Sequence, residues 1–436
     1  MMSTKTITVG RVCRIEGHGG ITVEMKDGRP ANVQMDIIEG TRFFEPLLVG
    51  RHYHEVTPIV MRICAICSAV HAVTSLMAIE DAFGIKVSPQ TKLLRDLLVQ
   101  GGNIESHALH LFCLAVPDFL GYSSVIELAS DRPGEAKIGL ELKNLGNKIQ
   151  EMVGGRAIHP VNAVVGGFGL VPSEGDLVIL REELEKGIRK ALATIDLMAA
   201  LEVPTFPESP TLYAALKPPS NKFGLFGNKI VLSTGETMDV HAYKDLCNEV
   251  TVAYSHAKQS RFRERPFMVG ALARVMLFGK FLSGQAKTAC RRLGLHKQTD
   301  NILYNNAAQA VELVYSIERA IEVVDELLHR GVKKERPRHA EIREGSGTAA
   351  SEAPRGTLYH SYTFNKKGRL TKADVITPTA QNCANIEKDL RASVERAGKD
   401  PVDALREKLQ MVVRAYDPCI SCSVHLIDLR PEAERG

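Results

Sequence analysis

The sequence predicts a mainly α fold with peripheral α+β segments: a bundle of long helices at the core, with small β segments at the N-terminus and late in the chain. Three observations carry this expectation. Thr91–Phe112, Lys137–Val153, Leu177–Ala200 and Ile302–Leu328 place apolar residues at i, i+3, i+4 and i+7, the period of a helix buried along one face. Strand-like patterns gather at the N-terminus and again beyond Thr357. Two cysteine motifs lie near opposite ends of the chain, and a shared site would require those ends to meet.

In chain order, Thr6–Ile15, Ile21–Lys26 and Ala31–Ile37 read as strands, the last two joined at Asp27-Gly28, a dipeptide suited to a hairpin turn. Helical patterns then dominate to Leu328. The last helix has Thr299 and Asp300 as plausible N-caps and Gly331 as C-cap. A Pro-rich stretch, Pro204–Pro219, and a strand pair, Lys229–Thr234 with Met238–Val240, form an excursion within the helical region. The charged connector Lys333–Arg338 and the Gly- and Ser-rich stretch Gly345–Ala353 lead into strands at Thr357–Phe364 and Ala373–Ile376. The expected organisation is thus a β segment over 1–45, a helical bundle over 46–332 with a β insertion near 225–242, and a β/loop and C-terminal metal-binding segment over 333–425.

Composition bounds the function. The 436 residues are 44% apolar and 24% charged, with 35 Gly and 20 Pro, which supports a sizeable core and excludes disordered, collagen-like and coiled-coil chains. At roughly 150 residues per domain the length suggests about three domains. Fifty-five basic against 51 acidic residues, interspersed, leave a net charge of +4 and no basic stripe for nucleic acid. The longest uncharged apolar stretch, Ile63–Ile79, falls short of the ~20 residues that span a bilayer and carries His71, so no transmembrane segment is expected. Met1–Arg11 has no apolar h-region, so no signal peptide is expected. Nine cysteines, an odd count, are too few for a disulfide scaffold and suit free or metal-bound thiols in a reducing compartment.

Two motifs carry the chemistry. Cys64-Ala65-Ile66-Cys67 is followed by His71, and Cys419-Ile420-Ser421-Cys422 by His425. A CxxC turn directs two thiolates into one space, and two such turns together supply four sulfur ligands for a soft or borderline metal. Structural zinc and a cubane iron–sulfur cluster both use four thiolates. Zinc usually knits a short segment, whereas here the site would close a long chain end to end.

The flanking residues narrow the choice. Arg62 precedes the first motif, and Arg14-Ile15-Glu16-Gly17-His18 and Glu45 with Gly50-Arg51 lie upstream; the second sits in Asp417-Pro418-Cys419-Ile420-Ser421-Cys422-Ser423-Val424-His425. Gly154-Gly155-Arg156 with His159-Pro160, Glu352-Ala353-Pro354-Arg355-Gly356, and Pro378-Thr379 with Asn382 complete the pattern. Over nearly its whole length the chain resembles the large, catalytic subunit of nickel–iron hydrogenases, of the cytoplasmic type coupled to soluble acceptors. Ala65 stands where that family usually has Gly, and Gln381 where an aromatic residue is common. All four cysteines are kept, unlike the related quinone-site subunit of respiratory complex I.

The resemblance implies a Ni–Fe(CN)2CO centre, with Cys64 and Cys419 as terminal nickel ligands and Cys67 and Cys422 bridging nickel and iron. Glu16 would relay protons, and Arg355 would hang over the open coordination position with Asp118 and Asp417 around it. Thr379 would bond a cyanide, and His71 a bridging sulfur. Glu45 and His425 would hold a separate magnesium, or iron, near the C-terminus. Leu426–Gly436 would be cut off by a maturation endopeptidase after nickel-insertion chaperones have acted. The partners implied are an iron–sulfur small subunit and further electron-transfer subunits, with H2 as substrate. A hydrogen-sensing regulatory subunit and a non-catalytic electron-transfer or scaffold subunit with a zinc site are the alternatives. Cys13, Cys113, Cys247, Cys290 and Cys383 have no such partners and read as buried small hydrophobes.

Overall fold

The computed structural model describes residues 4–27, 29–40, 43–205, 209–339, 341–397 and 401–424. Its centre is a group of four long helices, Pro89–Leu109, Pro133–Gly154, Glu174–Ala200 and Tyr304–Arg330. The first packs on the second and fourth, and the fourth also packs on the third. The Ser88 hydroxyl caps the first helix by accepting the Thr91 N–H, with Pro89 in its first turn. Ser173 and Asp176 form a capping box on the third. Gly146 lets the first two helices approach: a β-carbon there would lie 2.5 Å from the Glu105 nitrogen and 2.6 Å from the Gly101 carbonyl.

The helix ends show where local signals are overridden. Gly331, at φ 69°, terminates the fourth helix as expected. Thr299 and Asp300 do not start it. The helix begins at Tyr304 without a side-chain cap, because the Asp300 carboxylate accepts the Thr211 N–H at 3.1 Å and the Thr299 carbonyl accepts the Tyr213 hydroxyl at 2.7 Å. The helix expected to reach Phe112 stops at Leu109 and continues as a π turn, His110–Ala115, into Val116–Leu120. Such turns often mark functional positions.

The N-terminal strands, Thr4–Val9, Gly19–Lys26 and Arg29–Ile37, form an antiparallel sheet in that order. The first stops at Val9, short of the expected Ile15, so Arg14 and Glu16 lie in a loop free to reach the far end of the chain. Asp27 has φ 50°, as a tight turn needs; Gly28 lies outside the described residues. Lys229–Leu232 and Thr237–Asp239 do pair, and Leu212–Lys217 and Phe267–Met268 extend them to four strands.

The segment after 333 departs most from expectation. Gly345–Ala353, expected only as a Gly- and Ser-rich stretch leading into strands, is itself a full strand, pairing with Gly356–Phe364, which pairs with Leu370–Ile376. Its small residues serve a close approach: a β-carbon on Gly347 would lie 2.2 Å from the Ala82 nitrogen and 2.3 Å from the Ala78 carbonyl of the Ser68–Phe83 helix. Two further helices follow, Pro378–Ala397 and Val402–Ala415. The first buries an apolar stripe, Cys383, Ile386, Leu390 and Val394, but its N-terminal half also buries polar residues, Thr379, Gln381, Asn382 and Asn385, which blur the period. They spend their side chains on hydrogen bonds inside the core.

The two chain ends meet. Glu16 and Cys419 form a parallel β-bridge, with the Ile420 N–H donating to the Glu16 carbonyl at 3.0 Å. Arg414 reaches back to the Cys13 carbonyl at 2.9 Å, and the Pro378–Ala397 helix packs on the Arg29–Ile37 strand. The larger of two hydrophobic clusters among the described residues runs from Ile7 to Val424, and the smaller lies around the four-stranded sheet. Among the described residues no single helix is long and apolar enough to cross a membrane.

Candidate metal centre

Each CxxC motif is a turn that opens a helix. Cys67 is the N-cap residue of Ser68–Phe83 and Cys419 that of the single turn Ile420–Ser423. Both turns point inward, and the Sγ atoms of Cys64, Cys67, Cys419 and Cys422 lie within 4.8 Å of one another, all buried. Cys419 Sγ is 3.4 Å from Cys64 Sγ and 2.6 Å from Cys422 Sγ. All nine cysteines are free. Hydrogen bonds from Cys419 and Cys422 pull the Cys64 thiol down, and the same bonds, aided by Arg355, pull Cys67 well down, while burial pushes Cys419 and Cys422 well up. Four buried thiols gathered without a disulfide suit a thiophilic transition metal, which takes its ligands as thiolates. The donor set fits a nickel–iron centre.

Arg355 is buried beside the cluster. Its Nη1 donates to Cys67 Sγ at 3.2 Å, its Nη2 pairs with Asp417 Oδ1 at 2.9 Å, and its Nε donates to the Asp417 carbonyl at 2.7 Å. Burial opposes the charge, but Asp417 and the cysteine sulfurs more than offset it and hold the guanidinium pKa well above its usual value. Asp417 has φ 52°, a conformation uncommon outside glycine. Its other carboxylate oxygen accepts from Gln309 at 3.1 Å, and Gln309 is bonded to His110 of the π turn at 2.6 Å.

Asp118, expected around Arg355, is bonded to two other arginines. Its ion pairs go to Arg14 and to Arg414, the latter at 2.6 Å, because the N-terminal loop and the Val402–Ala415 helix deliver both guanidinium groups to it. It thus ties the two chain ends beside the site. Thr379 Oγ1 accepts the Cys419 N–H at 2.9 Å. His71, one helical turn beyond Cys67, bonds His360 at 3.1 Å, and His360 bonds the Tyr362 hydroxyl at 2.5 Å. Burial holds His71 low, at about 4, so its ring is neutral.

Glu16 is half-buried and lies against the second motif: its carboxylate accepts the Ser421 N–H at 3.0 Å and the Ser421 hydroxyl. Glu45 accepts the Val375 N–H at 2.9 Å, and its charge reaches Lys258. The neighbouring Ala257 bridges to Val424. His425 and the tail Leu426–Gly436 lie outside the described residues. Of the remaining cysteines, Cys247, Cys290 and Cys383 are buried, Cys113 is half-buried and Cys13 is exposed. Cys13 departs from expectation because it sits in the surface loop before Arg14.

Gln309, His110 and His360 carry no sequence motif that singles them out, nor does Arg274, whose guanidinium lies buried nearby. Arg274 does leave a signal, being the lone charge in the apolar run Val269–Phe278.

A sequence profile described as nickel-dependent hydrogenase matches residues 42–137 and 226–425, which include both cysteine motifs, and one described as HoxL-like matches residues 6–39. The chain is 41% identical over 423 residues to sulfhydrogenase 1 subunit alpha of Pyrococcus furiosus, covering 97% of this chain and 98% of the relative. It is 37% identical to sulfhydrogenase 2 subunit alpha of the same organism, covering 97% and 100%. In fold it is similar to a crystal structure of an NAD+-reducing [NiFe]-hydrogenase in the H2-reduced state, with a TM-score of 0.86, 24% identity, and coverage of 97% of this chain and 99% of that one. Similarity of that extent, spanning the four buried thiols and the loops that assemble them, establishes that the chain belongs to the nickel-dependent hydrogenase family.

Proposed function

We propose that the chain is the catalytic subunit of a [NiFe] hydrogenase, carrying out H2 ⇌ 2H+ + 2e−. One observation carries the reading: four buried sulfurs within 4.8 Å of one another, with a guanidinium fixed against one of them. Cys64 and Cys419 would bind nickel, and Cys67 and Cys422 would bind both nickel and iron. When bound, the centre, with carbonyl and cyanide on its iron, supplies the redox chemistry that splits H2 heterolytically.

The protein's own groups handle charge and protons. Arg355, held in a fork by Asp417, stabilises negative charge at Cys67 in a site closed to water. Glu16, anchored on Ser421 between the two cysteines of the second motif, takes a proton from a cysteine sulfur and releases it toward solvent; its half-buried position supports that role. Neutral His71 contributes orientation rather than charge. Thr379 accepts from Cys419, which leaves its own hydrogen to be donated to a cyanide. Glu45, with His425 from the chain end, would hold magnesium or iron; the bridge from Val424 to Ala257, beside the lysine that senses Glu45, supports their proximity.

Electrons need a way out. Among the described residues no second cysteine group could hold a cluster. Ala65 is exposed between two buried cysteines, so the centre comes within one residue of the surface there. The reading therefore includes an iron–sulfur small subunit and further electron-transfer subunits. Nine free thiols suit a cytoplasmic location. It also includes removal of Leu426–Gly436 by a dedicated endopeptidase once chaperones have inserted nickel.

The test is isotope exchange between H2 and D2O by the purified complex, together with reduction of an artificial acceptor. Rapid exchange and turnover are expected. An intact centre with very slow turnover would favour a hydrogen sensor instead, and no exchange from a nickel-loaded complex would refute the catalytic assignment.

A further inference from the structure

Arg274 is 1% exposed on the Ala271–Phe278 helix and belongs to none of the motifs above. All five of its N–H donors are engaged. Nε and Nη2 donate to the two carboxylate oxygens of Glu312, each at 2.6 Å. Nη1 donates to Glu352 at 2.8 Å and to the Ala353 carbonyl at 2.9 Å, and Nη2 donates also to the Pro354 carbonyl at 3.0 Å. The last two acceptors are the main-chain carbonyls immediately before Arg355.

The fork is anchored on three sides. Glu312 is bonded to His107 at 2.9 Å. Glu352 accepts from the Leu216 N–H at 2.7 Å and from the Thr357 hydroxyl at 2.8 Å. A salt bridge made only for stability would need the two carboxylates; here two donors are directed instead at the peptide carbonyls that set where Arg355 leaves the backbone. Lysine could not reproduce this, having three donors on a compact charge rather than five in a planar fork.

We propose that Arg274 is a positioning residue that clamps the Ala353–Pro354 main chain and so fixes the Arg355 guanidinium against Cys67. The proposal rests on the role given to Arg355 above. In the assembled, nickel-loaded complex, Arg274→Lys is expected to keep its nickel and its KM for H2 while kcat falls roughly 10- to 100-fold, the scale of a displacement near 1 Å.

Arg355→Lys in the same complex supplies the reference, and a fully active Arg355→Lys enzyme would refute the role of Arg355 itself. With that variant impaired, the double variant Arg274→Lys/Arg355→Lys is expected to be no slower than Arg355→Lys alone, because nothing remains to be positioned. Losses that multiply, or wild-type kcat in Arg274→Lys, would overturn the positioning role and leave that of Arg355 intact. A crystal structure of the Arg274→Lys subunit, with or without metal, is expected to show Arg355 moved from its 3.2 Å contact with Cys67; an unmoved Arg355 would equally overturn the proposal. Should Arg274→Lys fail to accumulate, Glu312→Gln keeps the side-chain shape and loosens the same fork. In that variant too, a fall in kcat that does not multiply with Arg355→Lys is the expected result, and an unchanged kcat or multiplying losses would overturn the proposal.

Discussion

Glu16 and Cys422 stand within a few residues' reach of one another yet should fail in different ways when changed. Glu16→Gln keeps the shape and can still accept the Ser421 N–H, with its amide N–H donating to the Ser421 hydroxyl, but it cannot carry a proton. Nickel content should stay normal while H/D exchange and turnover stop, and near-normal activity would show that protons leave by another route. Cys422→Ser removes a soft donor from the four-sulfur set. Nickel analysis should find the variant unloaded. Asp389 supplies a test of burial away from the metal. It is 8% exposed, accepts the Tyr416 hydroxyl at 2.5 Å, and burial raises its pKa from 3.8 to about 6. A carboxyl whose folded value is raised stabilises most below its unfolded pKa, and that contribution is lost as pH rises through about 6. Asp389→Asn should therefore raise the melting temperature at pH 8, by an amount worth up to about 3 kcal/mol, and leave it unchanged near pH 4. A gain at both pH values would contradict the titration.

At the scale of elements, Gly347 tests why the strand Gly345–Ala353 is built of small residues. Gly347→Val would drive a side chain into the backbone of Ala78 and Ala82, and denaturant unfolding should report a loss of several kcal/mol, of order 2–4. The same strand shows where sequence reading stops. The four long helices are legible because their apolar period matches one buried face, and Gly331 is legible because a C-cap is a local matter. Gly345–Ala353 is not, because its composition answers to the helix it touches, far away in sequence. Pro378–Ala397 is obscured for the converse reason: its first turns bury polar side chains beside apolar ones, and only the tertiary partners of Gln381, Asn382 and Asn385 make that tolerable. In the site, the four cysteines can be read from spacing alone. Gln309, His110 and His360 cannot, since each matters only through a partner that folding brings to it.

For the whole molecule, the decisive feature is closure: Glu16 bridges to Cys419, and Arg14 and Arg414 share Asp118. We propose that removal of the tail Leu426–Gly436 follows nickel insertion. Nickel-starved cells should therefore accumulate full-length chain, and intact mass spectrometry of active enzyme should find His425 as the last residue; a fully active subunit ending at Gly436 would refute the processing step and leave the metal assignment standing. That assignment is the central claim. It is tested most directly by metal analysis and infrared spectroscopy on the purified, mature complex. Nickel and iron in stoichiometric amounts, with bands from carbonyl and cyanide, are the expected result. Stoichiometric zinc without such bands would contradict it.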